Sequence, residues 1–131
     1  MSRESVEIVR SVHEAFNRRD VEAIVAVWDE DAEFRPVTSA FEGAVYRGHE
    51  GLRRWMREVD EDWDVFEAHG EEYRDLGDTV LALGRWHARG RGSGIVLDVQ
   101  TAAWVVRVRD GKVVWFRTFS DRAEAFEAAG Q

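Results

Sequence analysis

The last long apolar stretch, Trp104 to Gly130 (WVVRVRDGKVVWFRTFSDRAEAFEAAG), does most to limit what this chain can fold into. Two runs of β-branched and aromatic residues flank Arg109-Asp110-Gly111. Asp-Gly between such runs favours a tight hairpin, because both central positions accept a positive φ. The second run stops at Ser120, and Asp121 with Glu124 three residues on reads as a capping box that opens a short helix. A hairpin followed by a capped helix predicts the closing strands of a sheet, so the rest of the chain must supply their cover.

That cover is affordable within one domain of 131 residues, long enough for a single core. Hydrophobic residues make up 44%, with six Trp and seven Phe, enough bulk for a core or an aromatic cavity. A net charge of −8 with no basic stripe argues against nucleic acid, since phosphate contacts need clustered Lys and Arg. The absence of Cys removes disulfides, thiolate metal sites and Cys nucleophiles. The opening MSRESVEIVRSVHEAFNRRD has no apolar signal-peptide core, and no run approaches eighteen apolar residues. The expectation is a cytoplasmic protein with no membrane partner, no metal and no cofactor.

Val6, Val9, Val12 and Phe16 fall at i, i+3, i+6 and i+10, which predicts an amphipathic helix over 5–18. His13 sits beside that stripe and reads as a core-edge histidine. Asp20 caps a second helix carrying Val21, Ile24, Val25 and Trp28 on one face. A short strand follows through Phe34, restricted by Pro36 to an edge or an irregular end. Its acids Asp29, Glu30 and Asp31 are adjacent rather than spaced for a metal, and read as a solvated turn. Phe41 to Gly48 reads as loop or short strand. Leu52, Trp55, Met56, Val59 and Trp63 give the clearest helix, over 49–63. Strands are expected over 65–73 and 79–89, with a turn at Leu76-Gly77-Asp78. Gly-Arg-Gly-Ser-Gly (90–94) joins two strands rather than leading into a helix, which weakens a phosphate-cradle reading. The run 95–109 is too long for one flat strand and is expected to bend or bulge. Helices first and strands last predict an α+β fold: three N-terminal helices on one face of a strongly curved, mostly antiparallel sheet, plus a short C-terminal helix.

Four stretches, FNRRDVEAIVAVWDEDAEF, YRGHEGLRRW, VRVRDGKVVWFRTFSD and EAFEAAG, resemble the nuclear transport factor 2-like superfamily, in particular its SnoaL-like polyketide cyclase branch. The resemblance implies a cone-shaped α+β barrel with a pocket between helices and sheet. It also implies relatives of varied activity, from ketosteroid isomerases, epoxide hydrolases and dehydratases to non-catalytic subunits. The catalytic sets of those relatives do not carry over. The isomerase base falls at Arg35, before Pro36, its helix-borne Tyr near Val12, and its protonated Asp near Trp104. The Arg-x-Asp of epoxide hydrolases matches Arg85-Trp86-His87, with His replacing Asp, and their second Asp falls near Thr118. No cyclase acid or base can be matched; Asp121 is better explained as the helix cap.

The faces depend on register, because a slip of one residue exchanges them. With Arg91–Gly94 as the loop, His87 lies opposite Asp98 and Arg85 opposite Gln100, all on one face; with Gly90–Gly94, His87 faces Leu97 and the polar set scatters. The first register matches the family pattern, in which this side looks inward. A three-residue loop Arg109–Gly111 then puts Trp104, Val106, Phe116, Thr118 and Ser120 on that inner face. Trp115, Arg117 and Phe119 fall on the outer face, where they suggest a homodimer contact. The expected cavity is apolar, with Arg85, His87, Asp98, Gln100, Thr118 and Arg35 as polar points, Trp104 as floor and Trp28 and Trp55 as roof. Asp98 or His87 would be the base and Arg85 would stabilise negative charge, in isomerisation, cyclisation or dehydration of a small apolar carbonyl compound. The alternatives are a non-catalytic ligand-binding or scaffold domain, and a solvated cross-strand pair at a hairpin tip.

Overall fold

The structure, a computed structural model, describes residues 2–36 and 45–131. The expectation over Phe41–Gly48 therefore lies outside the described residues for 41–44. Helix α1 spans Ser2–Asn17 and α2 spans Val21–Val25, opened by the Asp20 side chain accepting from the Ala23 amide at 3.2 Å. Strand β1 (Trp28–Arg35) leads to a two-residue strand β2 (Tyr46–Arg47) and helix α3 (Gly48–Asp62). Trp28 thus begins β1 instead of ending α2. Four strands follow, β3 (Trp63–Asp75), β4 (Thr79–Gly90), β5 (Val96–Arg109) and β6 (Lys112–Phe119), then helix α4 (Arg122–Ala128).

The six strands form one open sheet in the order β2-β1-β6-β5-β4-β3. Among the described residues only the β1–β6 pairing is parallel. Helices α1 to α3 cover one face, where Val9, Val12, Phe16, Leu52 and Trp55 pack with Val80, Ala82, Trp86, Trp104 and Phe116. Helix α4 covers part of the other face, where Ala125 meets Leu81, Leu83, Ala103, Val105 and Phe119. That second layer explains why β4 is buried from Val80 through Gly84 without alternation: it has apolar cover on both sides. Trp115, Arg117 and Phe119 fall on this outer face as expected, but not all of them are open to a partner. Phe119 is 5% exposed beneath α4, while Trp115 and Arg117 remain half-buried.

Bulges decide which side chains share a face. At the last turn Asp110 (φ 53°) and Gly111 (φ 75°) form a two-residue connection, with Arg109 paired to Lys112, one residue tighter than expected. The register then shifts between Arg107 and Val108, so Val106 still faces Phe116 and Trp104 still faces Thr118. The β4–β5 hairpin has His87 opposite Asp98, but the register shifts between Trp86 and Gly84, so that Gly84 faces Ala102 and Ala82 faces Trp104. One extra β5 residue at this point turns His87 and Asp98 away from the face that carries Trp104. A further shift at the same level of β3, between Gly70 and Glu72, bends three strands together.

Arg122, at the start of α4, braces the bend: its Nη2 donates to Gly84 O at 3.0 Å and to Gln100 O at 3.2 Å. The cap that places it is Asp121, whose side chain accepts from the Ala123 amide at 2.8 Å. Removing the guanidinium with Arg122→Ala is expected to cost about 1–2 kcal/mol in equilibrium urea unfolding. A value within a few tenths of wild type would show that water replaces it.

Candidate functional site

Between α1–α3 and the inner face of the sheet lies an apolar cavity of about 50 Å³. Its position follows from sequence spacing. Val12, His13 and Phe16 come from α1, Leu52 and Trp55 from α3, and Trp28 and Phe34 from β1. The sheet supplies Phe66, Ala68, Trp86, Trp104, Phe116 and Thr118. Rings lock one another edge to face: Phe34 meets Trp55 at 4.8 Å and Phe116 at 5.4 Å between centroids. Phe66 stacks on Trp86 at 5.5 Å. Thr118 is the only described lining residue that is not buried, so it marks the side nearest solvent.

Three lining side chains carry a buried nitrogen with no hydrogen-bond partner: His13 Nε2, Trp28 Nε1 and Trp86 Nε1. Buried polar atoms are nearly always paired, and each orphan costs about 1–3 kcal/mol. All three residues line this one cavity.

His13 is the chemical centre. It is 4% exposed, its ring meets Trp104 edge-on at 4.4 Å, and its Nδ1 lies 2.8 Å from the Tyr73 hydroxyl. Burial, and secondarily the charge of His69, lowers its pKa from 6.5 to about 3, because a cation is costly where water is excluded. The ring is therefore neutral at pH 7. Burial also raises the pKa of Tyr73, keeping the phenol protonated.

The structure brings Trp28, Trp55, Trp104, Phe116 and Thr118 to the cavity and leaves the other expected residues outside it. Arg35 pairs with Glu33 at 2.9 Å, and the Trp115 indole also reaches Glu33, at 3.3 Å. These bonds lie on the outer face, because Ala32 and Phe34 take the inner positions of β1. Arg85 lies 3.5 Å from Glu71. His87 and Asp98 are paired at 3.9 Å, 37% and 54% exposed, and Gln100 donates to Asp98 at 2.9 Å. The cause is the β5 bulge. Trp86 takes the inner position on β4, so Arg85 and His87 face outward as a solvated cross-strand group.

His13, expected at the core edge, is indeed buried at 4% exposure, but no role in the site was expected of it. Its signal was present: Val9, His13 and Phe16 stand at i, i+4 and i+7, which puts the imidazole on the buried stripe of α1. Among the described residues no carboxylate lines the cavity, and no group of His, Asp and Glu could hold a metal ion. No described helix is long and apolar enough to cross a membrane.

The sequence profile of the SnoaL-like domain matches residues 9–116, most of the chain. The chain belongs to the SnoaL-like domain family. Solved structures repeat this SnoaL-like architecture over nearly the whole length. A nuclear transport factor 2-like protein from Burkholderia thailandensis is 28% identical, with a TM-score of 0.78 and 96% of each chain covered. TerC, co-crystallised with polyporic acid, is 19% identical, with a TM-score of 0.78, covering 98% of this chain and 99% of its own. A putative SnoaL-like polyketide cyclase from Shewanella denitrificans is 14% identical, with a TM-score of 0.71, covering 93% and 96%. No protein of curated function matches the chain.

Proposed function

We propose that this SnoaL-like domain binds a small, uncharged, largely apolar molecule in the cavity, with His13 against its polar end. The observation that carries the reading is that three side chains lining an otherwise apolar cavity each bear a buried nitrogen with no partner. Apolar walls with a few convergent polar groups are the usual make-up of a small-molecule site. The co-crystal of TerC with polyporic acid supports the scaffold's capacity for small organic ligands. The free space of about 50 Å³ holds a few atoms, so a ring-sized ligand parts the side chains as it enters.

Binding stands ahead of turnover for a chemical reason. A ring whose pKa is about 3 is a weak base at neutral pH, and the carboxylate chosen from sequence, Asp98, sits on the far face. A neutral donor beside a carbonyl oxygen can still stabilise negative charge developing there.

The test is a titration of tryptophan fluorescence with cyclohexanone, since four Trp line the cavity. A saturable change is expected, and Ala68→Leu, which fills the same space, should abolish it while the protein stays folded. No saturable change, or one that survives Ala68→Leu, would contradict a cavity site.

A further inference from the structure

We infer that Tyr73 is a positioning residue: its hydroxyl donates to His13 Nδ1, fixes the imidazole proton on Nε2, and so makes the cavity select a ligand with an acceptor oxygen. The inference rests on the cavity being the ligand site, and adds what decides its chemistry.

Two arrangements fit the 2.8 Å contact between His13 Nδ1 and the Tyr73 oxygen. Either the phenol donates to a bare Nδ1, or a protonated Nδ1 donates to the phenol. A phenol is a far stronger acid than a neutral imidazole N–H, and imidazole nitrogen is a better acceptor than phenolic oxygen. The first arrangement therefore prevails. The Arg10 guanidinium, 4.5 Å over the Tyr73 ring, withdraws electron density and strengthens the same donor.

The fold reserves space for this contact. Tyr73 and Gly70 flank the bulge that bends β3. A Cβ on Gly70 would overlap the Tyr73 hydroxyl and lie 3.0 Å from its Cε1. The bare backbone at Gly70 thus leaves the tyrosine free to lean across the bend toward α1, 60 positions away from His13 in sequence.

The consequence falls on the opposite ring nitrogen. In a neutral imidazole one nitrogen donates and the other accepts. With Nδ1 accepting from Tyr73, the unpartnered Nε2 carries a hydrogen. Trp28 and Trp86 can only donate, so the three orphans form a set of donors without an acceptor. Such a set suits a ketone or quinone oxygen and disfavours an ammonium group, which can only donate. The reversed tautomer would offer a lone pair at Nε2, a base in place of a donor. Tyr73 therefore decides between the two without touching the ligand.

Long-range ¹H–¹⁵N spectra of the ligand-free protein read the tautomer directly. The expected result is an unprotonated Nδ1 and a protonated Nε2 in the wild type, with both nitrogens moving toward mixed values in Tyr73→Phe. Gly70→Ala, which keeps the phenol but displaces it, should move them the same way. A protonated Nδ1 in the wild type, or an unchanged tautomer in both variants, overturns the inference. A second arm compares cyclohexanone with methylenecyclohexane, its hydrocarbon counterpart. Tyr73→Phe should weaken the ketone about tenfold and leave the hydrocarbon unchanged; equal losses would overturn the selection of an acceptor oxygen. If neither compound binds the wild type, the site reading fails, while the spectra still decide the role of Tyr73.

Discussion

Gly84→Ala is expected to cost about 3 kcal/mol of folding free energy, measured as a lower midpoint in equilibrium urea unfolding with an unchanged slope. Gly84 stands where β3, β4 and β5 bend together, paired with Gly70 on one side and Ala102 on the other. A methyl group here would be driven into the His69 carbonyl oxygen, 3.0 Å from its carbonyl carbon and 3.1 Å from the Glu71 amide nitrogen. These are backbone atoms of a paired strand and cannot rotate aside, so the substitution must open the bend. Gly77 gives the contrast. It has a positive φ of 93° and open space around its Cα, so Gly77→Ala should cost only about 1–2 kcal/mol. A loss at Gly84 no larger than at Gly77 would mean that the bend yields easily.

The second large effect is acid destabilisation through His13. The unfolded chain takes up a proton at this side chain near pH 6.5, while the folded chain refuses it until about pH 3. The unfolded state therefore binds more protons between those values, and stability falls as pH falls through that window. The stability is fully present above about pH 6.5. The whole shift corresponds to about 4–5 kcal/mol, of which about 2 kcal/mol is lost between pH 7 and pH 5. Glu33, whose pKa is lowered chiefly by its bond to Arg35, adds a loss of the same sign only below its ordinary value near 4.5. The interval from 6.5 to 5 is thus where His13 can be read. Unfolding of His13→Asn, which cannot titrate, should lose this slope. An undiminished slope in that variant would assign it to other groups.

The sheet was legible from sequence wherever an error of parity was compensated. The turn at Asp110-Gly111 is one residue tighter than expected, yet the shift between Arg107 and Val108 restores Trp104, Phe116 and Thr118 to the inner face. No such compensation exists between β4 and β5. There the hairpin register places His87 opposite Asp98, but the shift beyond Trp86 separates that pair from the Trp104 face. A bulge was foreseeable from the length of 95–109; its position was not, because it depends on close backbone packing at Gly70 and Gly84. Tyr73 was invisible for a related reason. Nothing local to it indicates a helix 60 residues earlier, and only the bend brings its hydroxyl to His13.

The central claim, that the cavity and not the outer polar group is the ligand site, is tested most directly by ¹H–¹⁵N spectra recorded during a cyclohexanone titration. The indole N–H signals of Trp28 and Trp86 and the Nε2 signal of His13 should move together and saturate at one concentration, with His87 unmoved. Saturable movement at His87, with the indoles of Trp28 and Trp86 still, would place binding on the outer face and contradict the account.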